Sequence, residues 1–442
     1  MSPRFESWGR LGGPAQTGIA LAGWRTAAGS VLPYGNGRSY GDSCFNSAGA
    51  LVDMRGRNRI LGLDPETGVI RCEPGVMLWQ IAEAAAPYGL FLPVTPGTRF
   101  VTIAGAVAND VHGKNHHRRG TLGRHVASLR LERSDRATTD CSPTDNAALF
   151  SATIGGMGLT GIITEVALTL MRVPSLAIRQ VSHRFERLDD YFELSDAHDD
   201  DHEYSVAWID QLARGDRFGR GVLMLGDHAS EGGLDATPAR PLGTVPFTPP
   251  LSALNRLTLT AFNALYYGRA PMGRSEATVR WDSYFYPLDR VIGWNRLYGP
   301  RGLMQHQSVV PERGGREAVR ELLSCAARHG QGSFLTVLKR FGDVPSPGLL
   351  SFPRAGYTLT LDFPHAGPRT LALMAELDAI TVAAGGAVNP YKDARMSPAT
   401  FAASFPNWRT LEAQRDPKIL SDFWRRTALQ LGAERPLAEA AE

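Results

Sequence analysis

Apolar residues along this chain come in short runs whose spacing changes from one stretch to the next. Residues 50–54, 68–73 and 161–171 read as strands, the second entered through the turn Asp64-Pro-Glu-Thr-Gly68. Residues 76–88 place Leu78, Ile81, Ala82 and Ala85 at helical spacing, and Gly89 stops the pattern. A second helix is predicted over 146–153, and 101–108 is small and apolar throughout. Arg172-Val-Pro174 reads as a boundary. Beyond it, strands are predicted at 284–286, 304–310, 333–338 and 357–363, with helices at 316–329 and 370–384. Phe401, Phe405, Trp408, Leu420, Phe423 and Trp424 predict packed helices over the last fifty residues. Strands and helices mix without regular βαβ alternation, so the predicted class is α+β rather than a doubly wound sheet.

Two stretches break the ordinary mix. Residues 189–203 carry eight acids in fifteen positions, the pattern of a solvated face, with His198 and His202 inside it. Residues 232–273 are rich in proline and glycine, and from 236 to 275 there is no acid, only Arg240, Arg256, Arg269 and Arg274. Within that stretch, 251–267 (Leu251, Leu254, Leu257, Leu259, Phe262, Leu265, Tyr266) is apolar at roughly helical spacing. It reads as a lid, as an interfacial helix touching a membrane, or as a helix packed on its own domain.

Composition narrows the function classes. There are 47 basic and 44 acidic residues in 442, a net charge of +3, so no broad basic field points to nucleic acid. A chain 43% hydrophobic and 21% charged is that of a soluble globular protein. Cys44, Cys72, Cys141 and Cys325 follow neither a disulfide framework nor a metal spacing. Residues 1–10 lack an apolar signal core, and no apolar run approaches membrane-spanning length, so a cytoplasmic location is expected. Only Lys114, Lys339, Lys392 and Lys418 are lysine; the other 43 cations (47 − 4) are arginine. Arginine cannot lose its proton and a buried lysine can, so surviving lysines are candidates for places where an ammonium is chemically required; the other reading is survival by chance.

Two glycine-rich segments compete for a dinucleotide. Gly156-Met-Gly158-Leu-Thr-Gly161 matches G-x-G-x-x-G, but a predicted helix precedes it and a strand follows. That is the reverse of the order that puts a pyrophosphate on a helix N-terminus, and NAD binding there is rejected. Pro33-Tyr-Gly35-Asn36-Gly37-Arg38-Ser39-Tyr40-Gly41-Asp42 is a tight loop whose exposed N–H groups suit phosphate oxygens. A second segment joins it, Pro96-Gly97-Thr98 and then the run from Thr102 through Gly105, Ala108, Asn109, His112, Gly113, Lys114, Asn115, His116 and His117, whose small residues over 104–108 let a flat or extended ligand approach the backbone. His112 and His116 sit in no H-E-x-x-H frame, so no metal is expected.

Together these segments resemble the vanillyl-alcohol-oxidase (PCMH) type of FAD-linked oxidase, and within it the oxidases of decaprenylphosphoryl-ribose epimerisation. The resemblance runs nearly end to end and includes Trp294-Asn-Arg-Leu-Tyr-Gly-Pro300, Lys339-Arg-Phe-Gly342, Asp362-Phe-Pro364 and Lys392-Asp-Ala-Arg395. It implies an FAD-binding domain built from 1–175 and 387–442, with an inserted antiparallel-sheet substrate domain at 176–386. It places the pyrophosphate at 35–42 with Gly97 and Thr98, the flavin edge at Thr102, Gly105, Ala108, Asn109, His112, Gly113 and Asn115, and the adenine side on the backbone of 158–163, with Gly158, Gly161 and Ile162 named for it. The first loop has no histidine, so FAD is expected to be non-covalent.

The implied reaction converts the 2'-hydroxyl of a polyprenylphosphoryl-β-D-ribose to a ketone, the first half of epimerisation to the arabinose form. A separate NAD(P)H-dependent short-chain reductase would be the partner, and the lipid substrate implies a peripheral membrane contact. The resemblance gives catalytic roles to Lys392, His112 and Tyr40. It gives substrate contacts to Trp208, Tyr286, Gln305, Gln307, Lys339, Phe341, Thr358, Thr360 and Lys392. Thr358 and Thr360 stand where mycobacterial relatives carry asparagine and cysteine, and Asn389 stands where they carry tyrosine. Two other readings remain: a soluble alditol or aldonolactone oxidase using O2, and a flavin-less sugar-lipid binding protein.

Overall fold

The computed structural model describes residues 5–433, so the outermost ends of the expected domain segments, 1–4 and 434–442, lie outside the described residues. The class is α+β, with mixed helices and three sheets of three or more strands. In the first 172 residues, Thr17–Ile19, Ala50–Asp53 and Val31–Tyr34 form a parallel three-stranded sheet. A five-stranded antiparallel sheet follows in the order Ile60–Asp64, Val69–Cys72, Ile162–Thr169, Val126–Glu132, Thr139–Cys141. The helix Leu78–Ala85 buries the four apolar residues its spacing predicts and ends in a 3-10 turn at Gly89, whose φ is +66°.

An eight-stranded antiparallel sheet occupies the middle of the chain: Arg274–Val279, Ile178–Phe185, Gly221–His228, Tyr204–Ile209, Val337–Phe341, Gly356–Pro364, Leu303–Val310 and Ala387–Val388, in that order. Its last strand lies one residue past 386 and pairs with Leu303–Val310. Strand alternation divides this sheet chemically. Leu338, Leu359, Leu361 and Phe363 pack with Val319, Leu322, Leu373 and Leu377 of the helices Gly315–Arg328 and Pro368–Ala383. Residues of the opposite parity, Lys339, Thr358, Thr360, Asp362, Gln305 and Gln307, share the other face.

The two ends of the chain close on each other. Ile419 bridges to Val31, whose N–H donates to Lys418 O at 2.8 Å and whose carbonyl accepts from Leu420 N at 2.9 Å. Trp24, Val31, Leu51, Phe401, Trp408, Phe423 and Trp424 form one buried cluster. Each large side chain so buried contributes about 1.5–3 kcal/mol of transfer free energy.

Two strand expectations change. Residues 284–286 fall largely in a helix, Trp281–Phe285, because Trp281, Tyr284 and Phe285 are buried at i, i+3, i+4; a three-residue window is too short to show that period. The strand expected at 333–338 runs instead from Val337 to Phe341, since Ser333 N is taken by Gln211 Oε1 at 3.1 Å.

Candidate active site

A cavity of about 410 Å³ lies between the glycine loops and the polar face of the eight-stranded sheet. Its outer wall is Gly35, Asn36, Gly37, Arg38, Ser39 and Tyr40 with Gly97 and Thr98; Thr102, Gly105, Ala108 and Asn109 continue the same wall. The loop is held from below: Asn36 Nδ2 donates to Phe100 O at 2.8 Å, and Thr102 caps the helix Ile103–Ala108 by accepting from Gly105 N. Gly37 has φ +58°, the left-handed region that favours glycine. Gly158, with φ +72°, and Gly161 and Ile163 line the far end.

At the inner end His112, Gln305, Gln307, Lys339, Thr360, Asn389, Tyr391 and Lys392 converge, with Trp208 on the adjoining wall. Lys392 Nζ lies 4.1 Å from the centre of the Tyr40 ring. Burial raises the Tyr40 phenol well above its ordinary range, so it stands as a neutral wall. Burial also lowers Lys392, while the Asp362 carboxylate pulls it back up; burial in turn raises Asp362. Gln305 Nε2 donates to Asp362 Oδ1. Burial, with Lys392 nearby, pushes Lys339 down to about 7. Burial and both lysines hold His112 well below the ordinary histidine range. Lys114 lines the cavity too, donates to Tyr284 O, and is pushed down to about 7 by burial.

Seven expected contacts lie off the cavity wall. Gly41 abuts the 393–394 backbone, where a Cβ would meet Asp393 O at 1.8 Å; its glycine serves that crossing of chains. Asp42 is ion-paired with Arg426 at 2.7 Å. Asn115 Nδ2 donates to Pro93 O and Glu203 Oε1, both at 2.9 Å. Ile162 points into the core and its neighbour Ile163 lines the cavity, a shift of one in strand parity. Tyr286 is fully buried with its hydroxyl against Thr95 Oγ1. Phe341 is buried against His112 and His116, 4.8 and 4.4 Å between ring centres. Thr358 is fully buried and accepts from Gln307 Nε2 at 3.3 Å. These residues shape the wall from behind.

Other lining residues were not singled out from sequence: Trp8, Thr95, Asp289 and Phe352 among them. Asp362, behind the wall, had a signal: it is the one acid in a strand whose other side chains are apolar or threonine.

The two histidines of the acid-rich stretch have other engagements. His198 stacks on His183 at 4.9 Å, and His202 Nδ1 lies 2.6 Å from Asp227 Oδ2. A Cys325, His329 and Glu376 grouping lies away from the cavity, with Glu376 held by Arg328 at 2.7 Å and His329 at 2.8 Å.

The donor set fits FAD. Glycine and small residues give close backbone approach along one wall, and Gly97 faces open space. Arg38 Nε is buried with no hydrogen-bond partner among the described residues, a donor suited to a diphosphate oxygen. The family of the FAD binding domain matches residues 20–142. Decaprenylphosphoryl-beta-D-ribose oxidase of Mycolicibacterium smegmatis is 34% identical over 421 residues, 90% of this chain and 89% of that one. An uncharacterized Streptomyces coelicolor protein is 36% identical over 375 residues, 80% of this chain and 100% of its own. L-gulonolactone oxidase of Mus musculus is 28% identical over 194 residues, 40% of this chain and 42% of its own. The chain therefore belongs to the FAD-linked oxidase family of decaprenylphosphoryl-beta-D-ribose oxidase, and it is an FAD-dependent oxidoreductase acting on CH–OH groups.

Proposed function

We propose that this enzyme oxidises the 2'-hydroxyl of a polyprenylphosphoryl-β-D-ribose to the 2'-keto sugar, the first half of epimerisation to the arabinose form. The observation that carries the reading is the meeting of Lys392, Lys339, His112 and Gln307 at the inner end of a cavity whose other walls suit FAD. Bound FAD supplies the hydride acceptor. Lys392, lowered by burial, takes the hydroxyl proton, a role arginine cannot fill. Lys339, Gln305, Gln307 and Thr360 hold the sugar hydroxyls, and Trp208 gives the ring an apolar wall. The FAD-binding domain comprises 1–175 and 387–442, the substrate domain 176–386. FAD is held non-covalently, the first loop having no histidine.

The lipid leaves beneath the helix Arg256–Arg269. Leu259, Asn263 and Tyr267 are its buried face, with Asn263 Nδ2 donating to Asp210 Oδ1 at 2.7 Å. Tyr266 lines the cavity and packs on Trp208 at 4.6 Å. The opposite face and its flanks expose Leu251 and Leu257, both 79% accessible, Leu265 and, at 82%, Met272. An apolar face ringed by arginine and free of acid suits a membrane surface with anionic headgroups. Among the described residues no helix is long and apolar enough to cross a membrane. The keto product passes to a separate NAD(P)H-dependent reductase.

The test is anaerobic addition of a short-chain prenylphosphoryl-ribose to the FAD-loaded enzyme. Flavin bleaching is the expected result. No bleaching with this compound, together with bleaching by a free alditol or aldonolactone and peroxide formation in air, would overturn the reading.

A further inference from the structure

Behind the lysine pair runs a chain of hydrogen bonds whose direction is fixed from one end. A backbone N–H only donates, and that of Tyr391 donates to Asn389 Oδ1 at 3.0 Å. Asn389 Nδ2 therefore points the other way and donates to Gln307 Oε1 at 2.9 Å. Gln307 Nε2 is left facing His112 Nε2 at 3.0 Å, with Thr358 Oγ1 as its second acceptor at 3.3 Å. An amide nitrogen offers no lone pair, so the ring Nε2 must accept. Turning Gln307 over would set its NH2 against that of Asn389, and turning Asn389 over would set its NH2 against the Tyr391 N–H. An imidazolium is excluded by the same amide, which leaves no acceptor at Nε2.

A neutral imidazole carries one proton, which is thus on Nδ1. That nitrogen lies 3.2 Å from Lys339 Nζ, which is also 3.3 Å from Gly113 O. An N–H cannot accept from an ammonium, so in this pair the amine accepts and carries two protons rather than three. The burial that pushes Lys339 down to about 7, and the neighbouring Lys392, favour the same state.

We propose that Asn389 is a positioning residue which, through Gln307, holds His112 as the Nδ1–H tautomer and thereby keeps Lys339 a neutral amine beside Lys392. The Lys339–Lys392 pair then carries one charge at most, and two otherwise similar amines take different roles. The bearing of this arrangement on turnover rests on the function proposed above; the tautomer itself does not.

The test is nitrogen NMR of FAD-loaded protein carrying ring-labelled histidine at pH 8, with the His112 signals assigned by their loss in His112→Asn. The expected spectrum shows a protonated Nδ1 and an unprotonated, hydrogen-bonded Nε2. A protonated Nε2, or a cationic ring, would overturn the proposal. In Asn389→Asp the carboxylate only accepts, so Gln307 turns over, presents Oε1, and the proton moves to Nε2. Gln307→Glu makes the same demand one step closer and serves if Asn389→Asp does not fold. An unchanged His112 tautomer in both variants removes Asn389 and Gln307 from the role.

The second readout is the pH profile of flavin reduction. Lys339 is expected to regain its proton in these variants, and that charge beside Lys392 lowers the latter, so the rise of the rate with pH moves down by about one unit. An even loss at every pH would mark a structural effect and count against the proposal. Should prenylphosphoryl-ribose prove the wrong substrate, the NMR result still decides the tautomer.

Discussion

The inner end of the cavity and the helix Arg256–Arg269 at its mouth use cations in opposite ways. At the inner end Lys339 is buried and Lys114 and Lys392 are half-buried, and desolvation pushes each below its ordinary value. At the mouth the cations are arginines: Arg184 and Arg220 stack on Tyr267 at 4.1 and 4.4 Å, and Arg240, Arg256, Arg269 and Arg274 populate an acid-free stretch. A group that must give or take a proton needs a pKa that burial can move, and a group that must stay charged needs the reverse. Lys418 belongs to neither region: its Nζ donates to Arg25 O and Ala27 O at 2.8 and 2.7 Å, which ties the two chain ends together.

The contrast breaks most directly at Lys392. Lys392→Arg is expected to retain FAD and to slow flavin reduction by about 10²–10⁴-fold, the usual span for loss of a general base, in anaerobic stopped-flow. Unchanged reduction would remove the lysine from the mechanism. At the mouth, Leu257→Asp with Leu265→Asp is expected to weaken sedimentation with anionic vesicles by about tenfold or more while FAD content is kept, since each change places a charge where apolar area would be buried. Equal sedimentation would leave the lid a helix packed on its own domain alone.

A smaller effect separates Lys392 from its carboxylate. The flavin reduction rate should rise with pH through the neutral to mildly alkaline range as Lys392 loses its proton. Asp362 favours the charged lysine, so Asp362→Asn should move that rise to lower pH by about one unit. A shift the other way would contradict the pairing. The smallest effect is on stability. Lys114 and Lys339 lie near 7 when folded and near 10.5 when unfolded, so the unfolded chain binds more protons in between. Their contribution to stability therefore increases as pH rises from about 7 to 10.5. The thermal midpoint of Lys114→Met/Lys339→Met should lose that upward slope relative to the unmutated protein.

Much of this arrangement was legible in the sequence, for physical reasons. Leu78, Ile81, Ala82 and Ala85 announced their helix because one face of it is buried, and the Gly35–Tyr40 loop announced a tight backbone, since a Cβ would meet Thr102 Oγ1 at 2.5 Å from Gly35 and Glu6 O at 2.1 Å from Gly37. Strand parity was harder to read. Tyr286, Phe341 and Thr358 lie close to true wall residues in sequence or space, yet each is sealed behind the wall. Gly41 looked like part of the phosphate loop but answers to a crossing with residue 393, a contact 352 positions away (393 − 41) that no local pattern reveals. Asn389 appeared only as a departure from the family's tyrosine; its hydrogen bonds depend on Gln307 from a different strand.

The closure of the two chain ends bears on how the enzyme is made. Strands carrying Gln305, Gln307 and Lys339 are synthesised before Tyr391 and Lys392, and the helices that seal Trp24 and Val31 come later still. A nascent chain thus exposes the aromatic lining of its first sheet, with Val31 still lacking its partner at Ile419, until synthesis passes residue 424. Apolar surface left open in this way is prone to associate with other chains, so the interval before the last helices form is the exposed stage of synthesis.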